Sequence, residues 1–287
     1  MEQNEIKNQV RQFYDEIGWK QVSEGVYQNA RYEDLREVSR EYIHKCHLRI
    51  NRQLKPVGKF LLDAGSGPVQ YPEYITYSDN FDKRVCADIS ILALKEARTR
   101  LGEKGLYVVS DVARLPFKDD CFDGVVTLHT FHHLPLSDQK KSYLEIYRTL
   151  NQKATGVIVN GWTNSPLMNS FKWLVLFMEW FGRRIAKIRG VELKQKDNGP
   201  TRTKKIKNEQ TGTFIEKLDY EWLKKEISPF MKIDLKVWRS VNVRFLRAVI
   251  HKPYGKLLLK ILYWFEEIAP FYFGVRGQYP MIIIDKE

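Results

Sequence analysis

The sequence predicts an α/β protein with a doubly wound, mostly parallel sheet of seven strands and helices on both faces. Three observations carry this prediction. Short apolar runs alternate with segments of helical spacing, several of the runs end in an acidic residue, and one of them enters a glycine-rich turn. Strands that alternate with helices form βαβ units, whose parallel strands end at a common edge of the sheet, and ligands bind beyond that edge.

The predicted elements follow this alternation along the chain. The first well-marked helix is expected over residues 33–54, where apolar residues recur at three- and four-residue steps until Pro56 and Gly58 end the pattern. Further helices are expected over residues 91–101, 137–150, 167–188, 214–227 and 254–268. The seven strands are expected over residues 59–63, 84–88, 106–111, 122–128, 156–160, 231–237 and 279–284.

Length and composition restrict the class of protein. The chain has 287 residues, of which 43% are hydrophobic and 29% charged, values that suit one large globular core and exclude wholesale disorder. Its three cysteines form no CxxC pair, so neither a disulfide framework nor a zinc knuckle is expected, and a reducing cytoplasm is the expected compartment. The N-terminus lacks an export signal pattern, and the apolar runs are far shorter than a membrane span.

The net charge of +12 arises largely from one stretch of the chain. Between Arg183 and Gln210 there are ten basic and three acidic residues, which contribute +7 of the total. Most of this stretch, residues 191–212, is poor in apolar residues and is expected to be a mobile loop. Such a local excess predicts a segment that faces an anionic partner, and it disfavours a protein that coats nucleic acid generally.

The glycine turn after the first strand admits two interpretations. A nicotinamide-binding turn has the pattern G-x-G-x-x-G, and the third glycine position, counted from Gly65, is occupied by Gln70, which weakens that interpretation. In the other interpretation, Asp63 ends the strand and bare backbone curves past a ligand, because glycine has no Cβ and tolerates positive φ. Asp63 could then hold an ammonium group, and Asp88, at the end of the second strand, could accept both hydroxyls of an adenosine ribose.

Five motifs in chain order resemble those of the class I S-adenosylmethionine-dependent methyltransferases, most closely the small-molecule group that includes the ubiquinone and menaquinone biosynthesis enzymes. The motifs lie at residues 61–67, 87–90, 110–117, 122–134 and 147–150. The resemblance covers residues 40–160 and the closing strand. It implies a Rossmann-like fold and S-adenosyl-L-methionine as the cofactor.

The resemblance also implies which residues bind the cofactor. Asp88 is expected at the ribose, Asp111 near the adenine amino group, and Tyr14 in a segment that folds over the cofactor as a lid. One departure from the family pattern is Val69, which stands where a third glycine is common and predicts a different turn. The full expected set is Tyr14, Asp63, Gly65, Ser66, Gly67, Asp88, Ile89, Asp111, Val112 and His129.

The chain is expected to divide into four segments around this cofactor site. They are an N-terminal helical lid and substrate cover at 1–58, the cofactor-binding core at 59–162, an aromatic helix with the basic mobile insertion at 163–230, and the late strands with an inserted aromatic helix at 231–287.

Methyl transfer from a sulfonium needs an acceptor held in line at close range, and positioning supplies roughly 7–11 kcal/mol in well-oriented cases. A base is required only where an acceptor hydroxyl must lose its proton, and the candidates are His132 and His133, for which a structural role stays open. No metal site is expected, because these histidines and His129 lack a companion carboxylate at ligand spacing.

The acceptor is the part of the function that the sequence constrains least. Nucleic acid is disfavoured, because residues 128–131 read Leu-His-Thr-Phe where base-methylating enzymes carry D/N-P-P-Y, and no RNA-binding module is recognised. The aromatic helices at 167–188 and 254–268 either pack on the sheet, form a deep apolar pocket, or dip into a membrane surface. Basic residues within 183–208 favour the last of these, because anionic headgroups attract them.

These observations together predict a methyltransferase for a small hydrophobic or lipid-linked acceptor, with O-methylation of a quinol, a lipid or a lipid-carried sugar as the expected chemistry. Its expected location is the cytoplasm, with peripheral contact to the inner membrane surface through residues 183–208. Two alternatives stay open, an RNA methyltransferase and a non-catalytic scaffold that binds S-adenosylmethionine. The sequence does not indicate an oligomeric state.

Overall fold

The structure, a computed structural model, describes residues 3–19, 21–23, 26–27, 33–54, 57–188, 213–249 and 252–287. The stretch expected to be a mobile loop lies outside the described residues. The strands are β1 (Gln21–Ser23), β2 (Val26–Tyr27), β3 (Gly58–Ala64), β4 (Phe81–Asp88), β5 (Gly105–Val109), β6 (Phe122–Leu128), β7 (Leu150–Val159), β8 (Ile233–Arg239) and β9 (Tyr279–Asp285).

Eleven α-helices lie in the described part of the chain. They are α1 (Gln3–Phe13), α2 (Glu37–Leu48), α3 (Pro72–Ile75), α4 (Ile91–Leu101), α5 (Leu136–Thr149), α6 (Pro166–Ser170), α7 (Lys172–Ile188), α8 (Tyr220–Glu226), α9 (Val243–Ala248), α10 (Lys252–Ile268) and α11 (Pro270–Arg276). A single π-helical turn, Tyr14–Gly18, continues α1.

Seven of the strands form one sheet in the order β5-β4-β3-β6-β7-β9-β8, which confirms the predicted Rossmann-like fold. All neighbours are parallel except that β9 runs antiparallel to both β7 and β8. The strand order reverses between β3 and β6, so the loops after these two strands diverge and leave a crevice at the carboxyl edge. β1 and β2 form a separate two-stranded hairpin.

The sheet is buried on both faces, which explains why its strands read as continuous apolar runs. Successive side chains alternate between the two layers: Leu62 and Val125 belong to one hydrophobic cluster, and Leu61 and Val126 to the other. The first cluster includes side chains of α5, and the second includes side chains of α4. The carboxyl edge between the two layers is therefore fixed by packing from both sides.

A third hydrophobic cluster joins helices from distant parts of the sequence. It contains buried residues of α2, α7, α9 and α10, with Val38, Val175, Phe245 and Leu259 as examples. These helices form a layer of their own beside the sheet. The aromatic helices therefore contribute buried side chains to this cluster, with α7 packed against α9 and α10 against α2, and they also face outward.

The prediction of a helix over residues 214–227 is wrong for the first half of that range. Residues 213–219 form no regular secondary structure, and only α8 is helical. The backbone of these residues bonds to distant ones: Glu216 N–H donates to the carbonyl of His132 over 2.8 Å, and Gln139 donates to the carbonyl of Glu216. These tertiary bonds replace helical ones, and the helix begins only where Asp219 caps it by accepting from Trp222 N–H.

Two smaller differences have local causes. The helix expected over residues 167–188 is interrupted at Phe171, which separates α6 from α7 and stacks on Phe245 at 5.7 Å. The third strand ends at Val109 and not at Asp111, because the Asp111 carboxylate accepts from Ala113 N–H over 2.9 Å and turns the chain.

Candidate active site

A cavity of about 340 Å³ opens at the carboxyl edge of the sheet. It lies where the strand order reverses, the usual position of ligands in such sheets. All twelve residues that the sequence proposes as site residues line it: Tyr14, Asp63, Gly65, Ser66, Gly67, Asp88, Ile89, Asp111, Val112, His129, His132 and His133. We call the part around the first glycines the glycine-turn end, and the part around Gly161, Thr213, Ile215, Lys217, Arg239 and Tyr279 the lysine end.

The glycine turn needs its glycines for steric reasons. Gly65 has φ +75°, and a Cβ there would lie 2.2 Å from a side-chain atom of Thr130, which follows β6. Gly67 has φ +53°, and a Cβ there would meet the Trp19 ring at 3.0 Å. The Thr130 hydroxyl donates to the carbonyl of Gly65 over 3.2 Å and so joins the loops on both sides of the crevice. The turn therefore presents bare backbone to the cavity.

Val69, which stands where the family commonly has a third glycine, keeps a backbone conformation typical of glycine. Its φ is +52°, a left-handed conformation that a β-branched residue rarely adopts and that glycine would adopt freely. The side chain is fully buried, and the guanidinium of Arg100 donates to the carbonyls of Val69 and Gln70 at 3.1 and 2.9 Å. Burial of the side chain and the two hydrogen bonds from Arg100 hold Val69 in the conformation that a third glycine would adopt.

Asp88 ends β4 and binds the turn directly. Its two carboxylate oxygens accept from the backbone N–H groups of Gly67 and Ser90, each over 2.8 Å. Burial raises the pKa of Asp88 to about 6, although these two hydrogen bonds oppose the rise. The carboxylate is thus fixed at the glycine-turn end, with free lone pairs on both oxygens.

Asp63 has a partner that the sequence did not reveal. Oδ2 of Asp63 accepts from Nε and Nη2 of Arg84, at 3.1 and 2.5 Å, and both side chains are almost fully buried. Burial raises the pKa of Asp63, and the charge of Arg84 opposes that rise. Since only Oδ2 contacts Arg84, Oδ1 is available toward the cavity that Asp63 lines.

The N-terminal helix closes the cavity from above through Lys7. The Lys7 ammonium bridges the carboxylates of Asp111 and Asp138, with both N–O distances 2.6 Å. Burial alone would lower its pKa, but the hydrogen bonds to the two carboxylates raise it. Helix α1 therefore lies over this part of the cavity, and its role as a lid stays a prediction.

The π-helical turn continues the lid across the crevice. The Tyr14 hydroxyl lies 2.6 Å from Nε2 of His133, and its ring stacks on Trp19 at a centroid distance of 4.9 Å. Ser90 donates a hydrogen bond to the carboxylate of Asp15. The lid therefore contacts loops after both β4 and β6.

The paired histidines have different environments. Nδ1 of His133 donates to the carbonyl of Phe214 over 3.0 Å, so its Nε2 accepts from Tyr14. Nδ1 of His132 lies 2.6 Å from Oδ1 of the buried Asn160, and donation there leaves Nε2 as a lone pair in a residue that lines the cavity. Burial lowers both pKa values, to about 4 for His133 and well below the ordinary value for His132, so both rings are neutral at pH 7.

His129 is held in a conformation that is uncommon outside glycine. Its φ is +57°, its N–H donates to the carbonyl of Val159 over 2.8 Å, and its ring packs edge-on against Trp238 and Tyr279. Burial, followed by the charge of Arg239, lowers its pKa to about 3. Such strain concentrates at functional sites, where the surrounding structure enforces it.

Several cavity residues escaped the sequence interpretation. Lys7, Trp19, Lys217 and Arg239 all line the cavity, as does Glu33, whose carboxylate forms an ion pair with Arg239. Burial would raise the pKa of Glu33, but Arg239 and then His47 lower it to about 2. The partners of Lys7, Glu33 and Arg239 lie far away in the sequence, so no local pattern marks these residues.

The donors and shapes at the glycine-turn end fit S-adenosylmethionine. An adenosine with a charged tail requires a close approach to backbone, a carboxylate for its ribose and enough space. The glycine turn leaves room that a Cβ would fill, Asp88 supplies a buried carboxylate, and the cavity volume is within the usual range for ligands. Within the described ranges, no group of three or more metal-ligating side chains is present. In the same ranges, none of the helices combines the length and hydropathy needed to cross a bilayer.

Part of the chain matches a known protein family. Residues 62–158 match the family model described as a methyltransferase domain. This region runs from β3 to β7 and contains the glycine turn, Asp88, Asp111 and the three cavity histidines. No curated protein sequence matches the chain.

Solved structures share the fold at low sequence identity. Phosphoethanolamine N-methyltransferase 1 of Haemonchus contortus, in complex with phosphoethanolamine and S-adenosylhomocysteine, is 10% identical with a TM-score of 0.59, and the match covers 99% of this chain and 50% of that one. A geranyl diphosphate methyltransferase in complex with S-adenosylmethionine is 14% identical with a TM-score of 0.50, and the match covers 85% of both chains.

Proposed function

Because this chain is a class I S-adenosylmethionine-dependent methyltransferase, we propose that it methylates a small, largely hydrophobic acceptor that it meets at a membrane surface. The observation that carries the acceptor proposal is this cavity, which the cofactor motifs, His132 and several apolar side chains line together. The membrane part rests on a separate surface, described below.

We assign the glycine-turn end to the cofactor. Asp88 would accept the ribose hydroxyls, the Asp111–Val112 turn would face the adenine, and Asp63 Oδ1 with the turn at Gly65–Gly67 would hold the amino-acid end. The cofactor supplies a methyl group already activated on a sulfonium. The lid residues Lys7 and Tyr14 would then exclude water from this end of the cavity, since they close over it.

The rest of the cavity suits an apolar acceptor. The cavity lining includes the apolar side chains of Val10, Phe13, Leu134 and Ile215 and the ring of Tyr71. An acceptor held there lies beside His132, whose lone pair on Nε2 is available at neutral pH because burial keeps the ring uncharged. For a hydroxyl acceptor, the oxygen would form the new bond to the methyl carbon as the carbon–sulfur bond of the sulfonium breaks, which leaves S-adenosylhomocysteine, and the hydroxyl proton would pass to Nε2 of His132.

His132→Gln tests the proposed base. We expect methyl transfer from labelled S-adenosylmethionine to a membrane-lipid extract to fall by roughly 10²–10⁴-fold, the usual contribution of a positioned base. The matched control is His133→Gln, which removes the contact to Tyr14 but leaves His132 in place, and its loss should be much smaller. Equal losses in the two variants would refute the assignment, and cofactor binding without turnover on any extract would favour the scaffold alternative.

The membrane proposal rests on three outward-facing helices. Of the 24 exposed large hydrophobic side chains in the described residues, 15 belong to α7, α10 and α11. We call them the apolar face: Trp173, Leu174, Phe177, Trp180, Phe181, Ile188, Tyr254, Leu257, Leu258, Ile261, Trp264, Phe265, Ile268, Phe271 and Tyr272. Large exposed apolar patches on soluble proteins commonly mark interaction sites for proteins or membranes.

These helices are apolar on two sides. Val175 of α7 and Leu259 and Leu262 of α10 are buried in the third hydrophobic cluster, and the apolar face lies on other sides of the same helices. Packing within the protein therefore accounts for one stripe of each helix and leaves the second without a function in the fold. The tryptophans and tyrosines of the apolar face are the residues that favour a membrane–water interface.

Charge favours an anionic lipid surface as the partner. Lys172, Arg183 and Arg184 are exposed on α7, and the sequence after α7 continues the basic stretch. A second copy of the chain would bring two basic surfaces together, whereas anionic headgroups complement them. We therefore propose a peripheral protein on the cytoplasmic side of a membrane, where a lipid-linked acceptor such as a quinol would be within reach.

A further inference from the structure

Hydrogen-bond donors without partners gather at the lysine end of the cavity. Oγ1 of Thr213 and Nε of Arg239 are buried and have no partner within the described ranges. The ammonium of Lys217 lines the same cavity and, in that part of the chain, neither donates a hydrogen bond nor forms an ion pair. Three unused donors among the residues that line one cavity call for a ligand rich in acceptor atoms.

The two cations flank one side chain, Tyr279. The guanidinium carbon of Arg239 lies 4.7 Å from the centre of the Tyr279 ring. A Cβ on Gly161 would lie 3.3 Å from Nζ of Lys217 and 3.4 Å from Cε1 of Tyr279, so the space beside the lysine is kept open by the absence of a side chain at Gly161. A ligand group at Tyr279 is therefore within reach of both cations.

The charges at the lysine end do not cancel. Glu33 balances Arg239, but no carboxylate of the described residues contacts Lys217, and the three nearby histidines are neutral at pH 7. Burial lowers the pKa of Lys217, which shows that its charge is partly desolvated. An anion beside it would restore the lost solvation, whereas a neutral ligand would leave the charge uncompensated.

The cofactor's own carboxylate is poorly placed to be this anion. Gly161 follows β7, and the glycine turn follows β3, with β6 between them. Neighbouring strands are ~4.8 Å apart, so the two positions are separated by roughly 10 Å across the sheet. The anion at the lysine end belongs to the second ligand.

We propose that Lys217, together with Nε of Arg239 and the hydroxyl of Thr213, binds an oxyanion of the methyl acceptor, either a carboxylate or a phosphate. This rests on the proposed function and narrows it: the acceptor is an acidic amphiphile, with its apolar part along the walls and its acidic group at Lys217. Loss of a charge-assisted hydrogen bond typically costs about 1.5–3 kcal/mol, which corresponds to roughly 10- to 150-fold in affinity.

Three small probes test this proposal on the protein saturated with S-adenosylhomocysteine. Calorimetry with benzoate, phenyl phosphate and the neutral benzyl alcohol should show at least ~10-fold tighter binding of one of the acidic probes, and the tighter one identifies the acidic group. Lys217→Met should remove the difference, and Lys217→Arg should keep most of it. The affinity for S-adenosylhomocysteine should stay within about twofold of wild type in both variants.

Equal binding of all three probes by the wild-type protein would overturn the proposal without any variant. A large loss of S-adenosylhomocysteine affinity in Lys217→Met would also overturn it, because the lysine would then bind the cofactor. A wild-type protein that does not bind S-adenosylhomocysteine contradicts the proposed function itself, so the two failures are distinguishable.

Discussion

Arg84 and Asp63 show how one buried pair supports the cofactor site. The guanidinium is fully buried in β4, and it contacts Oδ2 of Asp63 and the carbonyl of Tyr74. The pair therefore fixes the orientation of Asp63 and compensates its charge in a dry environment. Because buried ion pairs are costly to desolvate, their role is better described as placing the carboxylate than as stabilising the fold.

Removal of one partner of the Arg84–Asp63 ion pair should strongly destabilise the protein. In Arg84→Met, Asp63 keeps its charge without compensation, and we expect the free energy of unfolding to fall by about 3–5 kcal/mol in denaturant titration at pH 7. The loss should shrink at lower pH, because protonation neutralises Asp63. The neighbouring Lys83→Met removes a half-buried side chain whose hydrogen bond to the carbonyl of Glu103 is exposed to solvent, and it should change stability by less than about 1 kcal/mol. Similar stability of both variants would contradict this role of Arg84.

Residues of the site differ in how far the sequence could predict them. Asp88 and the glycines were found because each stands at a strand end in a local pattern. Arg84 and Lys217 were not, because their roles depend on contacts between elements that the sequence does not order in space. His132 and His133 are adjacent and look alike, and only the positions of Asn160 and Tyr14 separate them.

Among the elements, the lid is tied to the core by contacts with distant parts of the chain. Helix α1 is tied to the core by Lys7, whose partner Asp111 is 104 residues away, and the following turn by Tyr14 and Asp15. These contacts lie at the cavity rim, so the segment can open without disturbing the sheet. Segments of this kind belong to the low-stability end of a protein.

Lys7→Met should loosen this lid selectively. Without the ammonium, the carboxylates of Asp111 and Asp138 repel each other, and we expect deuterium exchange in residues 3–13 to accelerate by about 5- to 50-fold, equivalent to about 1–2.3 kcal/mol. Exchange in β3 and β6 should be unchanged. Lys7→Arg keeps the charge and should behave nearly as wild type. Unchanged deuterium exchange of α1 in Lys7→Met would contradict the proposed role of Lys7 in holding the lid closed.

The elements also show where sequence patterns suffice. The predicted bounds of α4 and β6 agree with the structure: Ser90 caps α4 by accepting from Ala93 N–H, and Gly102 ends it with φ +53°. The expected helix at 214–227 was wrong because its first half bonds to His132 and Gln139, which lie in other elements. A capping residue can be recognised from the local sequence, whereas hydrogen bonds between distant elements cannot. The four-segment division stays a prediction.

At the scale of the whole molecule, charge and apolar surface occupy the same region. The apolar face begins on α7, which also leads into the basic stretch that supplies most of the net charge. A protein with this distribution would bind an anionic bilayer by inserting aromatic side chains while its basic residues meet the headgroups. The cavity could then receive an acceptor from the lipid phase.

Vesicle sedimentation tests this whole-molecule proposal. The protein should bind phosphatidylglycerol-containing vesicles at low salt, bind phosphatidylcholine vesicles weakly, and dissociate as salt rises, because salt screens the headgroup attraction. The combined variant Trp173→Ser, Trp180→Ser and Trp264→Ser should bind at least about tenfold more weakly, since each tryptophan contributes buried apolar area. Val57→Ser changes a residue that is 79% exposed, as Trp173 is, but lies outside the apolar face. Equal effects of both changes would exclude the apolar face as the docking surface.

The most direct test of the account is the affinity for S-adenosylmethionine as a function of pH, measured by calorimetry on wild type and Asp88→Asn. One cofactor should bind per chain, with affinity falling about tenfold between pH 7 and pH 5, because a carboxyl with a pKa of about 6 is mostly protonated at pH 5 and no longer accepts from both ribose hydroxyls. Asp88→Asn should bind at least ~10-fold more weakly at pH 7 and show no dependence over this interval. Absence of binding in the wild type, or an Asp88→Asn variant that matches the wild type at pH 7, would contradict the account.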